Sequence, residues 1–183
     1  MKYKIIIFLL LFGLFQNGCT EDNNLNTQGL HFQGRNCIAC HNNDLQEDRH
    51  LIIGGTLFKS PSNADGENLN TICNETLLIN FLNENNRSIQ YSSKLSTSKG
   101  NKGKGNFFIL EDENNQNITG SYIMQIIKND HNKTILADSL NQVHRFNDII
   151  TDSVDLNNRY SCNSCHTKGG LTKPLFPNKN PCN

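Results

Sequence analysis

The feature that most constrains this chain is a pentapeptide, Cys-x-x-Cys-His, that occurs twice. The two copies occupy residues 37–41 and 162–166 of a 183-residue sequence. With seven cysteines and six histidines in the chain, chance alone yields roughly 0.01 copies of the pattern per sequence. Two copies therefore indicate two sites built for the same chemistry, and the fold has to present both.

The spacing of the motif suits covalent attachment of haem. Its two thiols add across the vinyl groups of the porphyrin as thioethers, and the histidine that follows is held beneath the iron as a ligand. We therefore expect two covalently bound haem c groups. The predicted attachment residues are Cys37, Cys40, Cys162 and Cys165, and the predicted iron ligands are His41 and His166.

Two other chemistries use paired cysteines. Structural zinc binds Cys-x-x-Cys pairs, but zinc does not require a histidine directly after each pair. A thioredoxin-like dithiol belongs to a βαβ context, and neither pair is predicted to begin an amphipathic helix after a strand. Haem is the reading that uses every residue of the pattern.

The N-terminus has the layout of a secretory signal. Lys2 and Lys4 precede an apolar run over residues 5–14, and residues 16–19 (QNGC) follow, which is the order of charged region, apolar helix and small residue at the cut. Cys19 after Gly18 resembles the acylated cysteine of bacterial lipoproteins, with ordinary cleavage as the alternative. We expect an exported bacterial protein, periplasmic or on the outer surface, anchored by lipid at Cys19.

Two cysteines remain outside the motifs and the signal, Cys73 and Cys182. In an oxidising compartment leftover thiols can pair, which would hold the C-terminal tail against the middle of the chain. Two buried thiols are the alternative.

Methionine is scarce, which limits the second axial ligands. Only Met1 and Met124 exist, and Met1 leaves with the signal, so at most one haem has His/Met ligation. Met124 reads as core filler in a strand that also carries Tyr122 and Ile126. The candidate distal ligands are His50 and His144, at the two ends of the β region, with His31 in reserve; His131 is expected in a solvated turn. Because at most one haem can have a methionine ligand, we expect bis-histidine ligation of at least one haem.

The segment between the motifs is expected to be β structure. Candidate strands cover residues 51–58, 76–82, 88–95, 107–111, 121–128 and 134–137, separated by segments rich in Asn, Gly, Ser and Asp. The predicted fold is mainly β: a small antiparallel β-sandwich flanked by two c-type haem-binding segments with little regular structure. The predicted domains are a signal peptide (1–18), a polar tether (19–34), a first haem segment (35–50), the sandwich (51–140), and a second haem segment with the tail (141–183).

Charge excludes some partners. Removal of Lys2 and Lys4 leaves 15 basic residues against 17 acidic ones, a net charge of −2. Nucleic-acid binding calls for a basic surface and is not expected. The Gly- and Lys-rich residues 99–105 run into an apolar strand rather than into Gly-Lys-Ser/Thr and a helix, so they are not a phosphate loop. Redox proteins are the expected partners.

The order of these features resembles that of exported cytochromes in metal-reducing and related bacteria, in which a short carboxypeptidase-regulatory-like β domain lies between two haem motifs. The matching residues are 54–58 (GGTLF), 105–108 (GNFF) and 162–170 (CNSCHTKGG), and the resemblance spans about residues 37–170. It implies electron transfer, with the motif cysteines as thioether positions and the motif histidines as iron ligands.

The expected function is electron transfer rather than enzymatic catalysis. One alternative is a dihaem peroxidase-like or sensor protein with one open haem. The other is a lipid-anchored haem subunit that docks a larger membrane redox complex. Carbon monoxide binding separates an open haem from a closed one, and co-purification from membranes identifies a docked subunit.

Overall fold

The computed structural model describes residues 33–96, 103–111, 120–138, 142–146, 161–179 and 181–182. Two α-helices coincide with the two pentapeptides: α1 (Cys37–Asp44) and α2 (Cys162–Cys165). Short 3-10 helices lie at Glu47–Arg49 and Leu69–Thr71. The strands are β1 (Leu51–Thr56), β2 (Leu77–Asn83), β3 (Ile89–Lys94), β4 (Asn106–Leu110), β5 (Gly120–Lys128), β6 (Ile135–Asp138) and β7 (His144–Phe146).

The strands form two antiparallel sheets. One contains β1 and β4, and the other has the order β3-β2-β5-β6, with β7 also paired to β5. Strand β5 is nine residues long, so one edge has room for two partners: β6 pairs with its C-terminal half and β7 with its N-terminal end. Among the described residues all strand pairs are antiparallel, so the predicted mainly β, antiparallel fold is confirmed.

The two sheets share one hydrophobic core. Buried side chains of β1 and β4 join those of β2, β5 and β7 in a single cluster. Ser93 ties the sheets together at their edge, because its hydroxyl accepts from the amide of Phe108 and donates to the carbonyl of the same residue. Burial of apolar surface from both sheets is what stabilises the sandwich.

Strand β1 differs from the others because all six of its residues are buried. A strand with one solvent-facing side alternates between buried and exposed residues, whereas a strand covered on both faces reads as a continuous apolar run. The run Leu51-Ile52-Ile53-Gly54-Gly55 fits the second case. Both α1 and α2 contact β1, so the two helices and the sandwich core together cover the strand.

Six of the seven observed strands lie where the sequence predicted strands, with ends that differ by a few residues. Strand β7 was missed: His144 was expected just after the last strand, but it begins β7 and pairs with Tyr122. Three residues are too few for an alternating pattern to be recognised. The strand lies beyond residue 140, in the segment that the sequence assigned to the second motif.

The C-terminal tail is held against the sandwich by a disulfide between Cys73 and Cys182. Both residues are buried. Main-chain hydrogen bonds to Phe58 and Leu136 hold the tail between the second motif and this bridge. The pairing that the sequence left open is therefore present, and it closes a loop with a sequence separation of 109 residues.

We predict that Cys182→Ser lowers the free energy of unfolding by about 2–5 kcal/mol, because a bridge across a long loop restricts the unfolded chain. Urea titration under oxidising conditions measures the change. The double variant Cys73→Ser/Cys182→Ser is the control and should lose no more than the single variant loses. Equal stability of Cys182→Ser and the wild type would contradict the assignment.

Candidate haem-attachment site

The first pentapeptide forms the opening turn of α1. Asn36 caps the helix, and its side-chain oxygen accepts a hydrogen bond from the amide of Ala39 at 3.2 Å. Because residues three and four apart share a helix face, Cys37, Cys40 and His41 project on the same side, and Ile38 faces the core with no exposed surface. The sequence predicted little regular structure here, whereas the structure has an eight-residue helix.

The second pentapeptide forms the single turn α2. His166 follows as the C-cap residue, and its amide donates to the carbonyl of Cys162 at 2.8 Å. Cys162, Cys165 and His166 therefore repeat the arrangement of the first motif, with both sulfurs and the imidazole on one face of one turn. In both motifs a turn of helix, which was not predicted, brings the two sulfurs and the imidazole together.

Both motif histidines make the same second hydrogen bond. Nδ1 of His41 lies 2.8 Å from the carbonyl oxygen of Arg49, and Nδ1 of His166 lies 2.8 Å from the carbonyl oxygen of Lys173. A carbonyl can only accept, so Nδ1 carries the proton in both rings and Nε2 of the neutral ring has a lone pair. Metal-binding histidines are oriented by hydrogen bonds of this kind. In both imidazoles Nε2 is therefore the nitrogen through which a metal would bind.

Burial of His166 also favours the neutral form of its imidazole. Removal of the ring from water lowers its pKa below the ordinary value of 6.5, and the hydrogen bond to Lys173 opposes this shift only in part. A lowered pKa means that the imidazole stays neutral to a lower pH. The neutral ring is the form that binds metals.

The first cysteine of each motif packs against β1 at a glycine. A Cβ atom added at Gly54 would lie 2.8 Å from Cβ of Cys37, and one added at Gly55 would lie 2.8 Å from Cβ of Cys162. Real side chains do not approach this closely, so only glycine allows the two helices to reach the strand at these positions. The two motifs thus pack against consecutive residues of β1. They are neighbours in the structure although 125 residues separate Cys37 from Cys162.

The thiols of Cys37 and Cys162 are hard to ionise. Desolvation by burial raises the pKa of each from the ordinary 9.0 to about 12, and for Cys162 the nearby sulfur of Cys37 adds to the shift. Reactive dithiols have lowered pKa values, so this environment is opposite to that of a thioredoxin-like site.

Cys40 is in a different state from the other motif cysteines. It is disulfide-bonded in this structure, whereas Cys37, Cys162 and Cys165 are thiols. A sulfur in a disulfide has no S–H to add to a vinyl group. Attachment of haem at Cys40 therefore requires that this bond is first reduced by thiol–disulfide exchange.

A cavity of about 270 Å³ opens beside the second motif, and a neighbouring one of about 390 Å³ shares several of its residues. His144, His166 and Met124 line both. The ring centroids of His144 and His166 are 6.0 Å apart, with an angle of 41° between the ring planes. The two rings therefore lie close to each other beside the same cavities.

The other predicted ligands are less well placed or lie outside the described residues. His50 Nε2 is 3.3 Å from the carbonyl oxygen of Leu45, and its Nδ1 is 3.6 Å from a carboxylate oxygen of Glu111. It would have to give up one of these contacts to bind iron. His131 is exposed in a turn, as predicted. His31 and Cys19 lie outside the described part of the chain.

These residues fit covalent haem by their donor types and their orientation. Within the described ranges no group of three or more His, Cys, Asp or Glu side chains is arranged to hold a metal ion; haem iron takes only one or two protein ligands. Sequence reasoning missed the roles of Gly54, Gly55 and Asn163 and of the carbonyls that orient the two imidazoles. The Gly-Gly pair inside a predicted strand could have indicated that another part of the chain packs closely against the backbone there.

The described segments include no helix with the length and apolar character needed to cross a membrane. Comparison with protein-family models, with curated proteins and with solved structures finds no match for this chain.

We predict that iodoacetamide modifies Cys37 and Cys162 of the haem-free protein roughly 500-fold more slowly at pH 9 than in the urea-unfolded chain. A pKa of about 12 leaves only about one thiol in a thousand ionised at pH 9, against about half at the ordinary value. The rates should rise as the pH increases from 9 to 12.

Peptide mapping by mass spectrometry gives the rate at each cysteine. The same two peptides in the unfolded chain are the control. Modification of Cys37 in the folded protein at the unfolded rate would contradict the burial of its thiol.

Proposed function

We propose that this protein is an exported dihaem c-type cytochrome that carries electrons between redox proteins. The observation that carries the proposal is a hydrogen bond that recurs in both motifs. Nδ1 of each motif histidine lies 2.8 Å from a backbone carbonyl oxygen, so that Nε2 is the nitrogen through which the ring would bind iron. A solvated surface histidine does not need a backbone carbonyl at Nδ1. Two histidines that bind iron are both expected to have a hydrogen-bond acceptor there, because it fixes the tautomer and the orientation of the ring.

Each pentapeptide would bind one of the two haem groups. Cys37 and Cys40 would form the thioethers of one haem, and Cys162 and Cys165 those of the other. When bound, haem supplies one-electron redox chemistry. The protein contributes covalent attachment, an oriented imidazole and a partly buried setting, and these are the means by which a protein adjusts a haem's reduction potential.

His144 is the favoured second ligand for the haem at the second motif. It lines the same cavities as His166, and the centroids of the two rings are 6.0 Å apart. Met124 lines these cavities too and is the alternative. His50 and His31 remain the candidates for the haem at the first motif.

Export and lipid attachment are part of the proposal and rest on the N-terminal sequence alone. The charged start, the apolar run and Gly18-Cys19 support a lipoprotein signal. Of the predicted tether 19–34, Gln33 and Gly34 are hydrogen-bonded to the domain, so residues 19–32 would tether it to a membrane.

We predict two haem groups per chain when the full precursor is produced in a bacterium that matures c-type cytochromes. The pyridine haemochrome spectrum gives the number, and the intact mass also shows whether Cys19 is acylated. Cys37→Ser/Cys40→Ser and Cys162→Ser/Cys165→Ser should each retain one haem, so each pair is the control for the other. A colourless product with four reactive motif thiols would overturn the proposal.

We predict that His144→Ala opens the haem at the second motif to carbon monoxide. The experiment uses the Cys37→Ser/Cys40→Ser background, in which only that haem remains, and records the reduced spectrum with and without carbon monoxide. Without a second imidazole the iron has a vacant position, so the variant should bind the gas and its parent should not.

Met124→Leu is the matched control, since Met124 lines the same cavities, and it should leave carbon monoxide binding unchanged. Strong binding in the parent protein would favour the peroxidase-like or sensor alternative. Binding that appears in Met124→Leu but not in His144→Ala would assign the second ligand to Met124.

A further inference from the structure

We propose that Asn163 positions the two haem-binding motifs against each other and thereby sets the strength of interaction between the two haem groups. This inference rests on the proposed function. Asn163 is one of the two variable residues of the second pentapeptide, and the motif chemistry assigns it no task. It is 2 % exposed, which is unusual for an amide side chain and requires hydrogen-bond partners.

The partners of Asn163 come from both sides of the site. Its Nδ2 donates to the carbonyl of Arg35 at 2.8 Å and to the hydroxyl of Thr56 at 3.1 Å, and it lies 3.6 Å from the sulfur of Cys37. Its Oδ1 accepts from the amide of Thr56 at 3.0 Å. A flipped amide would place oxygen against the Arg35 carbonyl and nitrogen against the Thr56 N–H, so the network determines the orientation.

These bonds join three parts of the chain that are far apart in sequence. Arg35 and Cys37 belong to the first motif and its approach, Thr56 ends β1, and Asn163 belongs to the second motif. Asn163 is 128 residues from Arg35 and 107 from Thr56. A single buried side chain therefore links both motifs to the strand on which they pack.

A second connection runs beside the first. The hydroxyl of Thr167, just after the second motif, donates to the carbonyl of Gly34, and the amide of Gly34 donates to the hydroxyl of Thr56. Thr56 donates its own proton to Asn106 of β4 at 2.7 Å, so its oxygen accepts from both Asn163 and Gly34. The inter-motif contact is thus a satisfied buried network, which holds one arrangement in place.

The consequence for electron transfer is geometric. Cys37 and Cys162 are each the first attachment point of a haem, and the positions of these two residues limit how far apart the two porphyrins lie. Two charged iron centres repel more strongly when they are closer, so the oxidation of one makes the oxidation of the other harder. A looser contact between the motifs weakens this interaction.

The test uses three variants of the haem-loaded protein. Asn163→Ala removes every bond of the amide. Asn163→Asp keeps an oxygen for the Thr56 amide but removes the N–H groups that reach Arg35 and Cys37. Asn80→Ala is the matched control, because Asn80 is equally buried, accepts from Ser92 and lies in the other sheet.

Three readouts separate positioning from general stability. Redox titration gives the interaction between the haems, low-temperature electron paramagnetic resonance reports their magnetic coupling, and hydrogen exchange reports protection of the Thr56 amide. Asn163→Ala should lower the interaction constant threefold or more, weaken the magnetic coupling and expose the Thr56 amide. Asn163→Asp should keep the Thr56 amide protected yet weaken the coupling. Asn80→Ala should change none of the three.

Two outcomes would overturn the inference: an unchanged interaction in Asn163→Ala with two haems bound, or an equal change in Asn80→Ala. If Asn163→Ala fails to fold, Asn163→Asp and Thr56→Val, which removes the hydroxyl that accepts from Asn163, decide the question. Absence of haem from the wild type would instead refute the proposed function, so the two failures are distinguishable.

Discussion

The close approach of two helices to one strand is the constraint on which the rest of this structure depends. Gly54 and Gly55 carry no side chains, and the first cysteines of both motifs occupy the space that a Cβ atom would need. The same strand contributes its other residues to the core of the sandwich. Because β1 is covered on both faces, any change in its register moves the core and both motifs together.

Hydrogen bonds at the end of β1 add to the close packing that the two glycines allow. Thr56 ends the strand and is fully buried, yet its hydroxyl and amide are both used by neighbours from the two motif segments and from β4. Buried polar groups are stable only when they are satisfied. The site therefore combines close packing at Gly54 and Gly55 with a directional network one residue further along.

Each motif also depends on chain outside the pentapeptide. The carbonyl that orients His41 comes from Arg49, eight residues later, and the one that orients His166 comes from Lys173, seven residues later. The tail that provides Lys173 is held by the disulfide to Cys73 and by hydrogen bonds to Phe58 and Leu136. Stability of the tail and orientation of the second imidazole are thus physically connected.

Much of this protein followed from the sequence alone. Strand-like runs between segments rich in Asn, Gly, Ser and Asp predicted six of the strands, because both signals are local in the sequence. The helix at Cys37, Cys40 and His41 was not predicted; once it forms, the i, i+3, i+4 spacing of these residues places their side chains on one face. Tertiary structure alone decided that the motifs adjoin, that Asn163 lies between them and that His144 lines the same cavities as His166. These contacts join residues far apart in sequence, and the packing that brings them together leaves no periodic pattern in either segment.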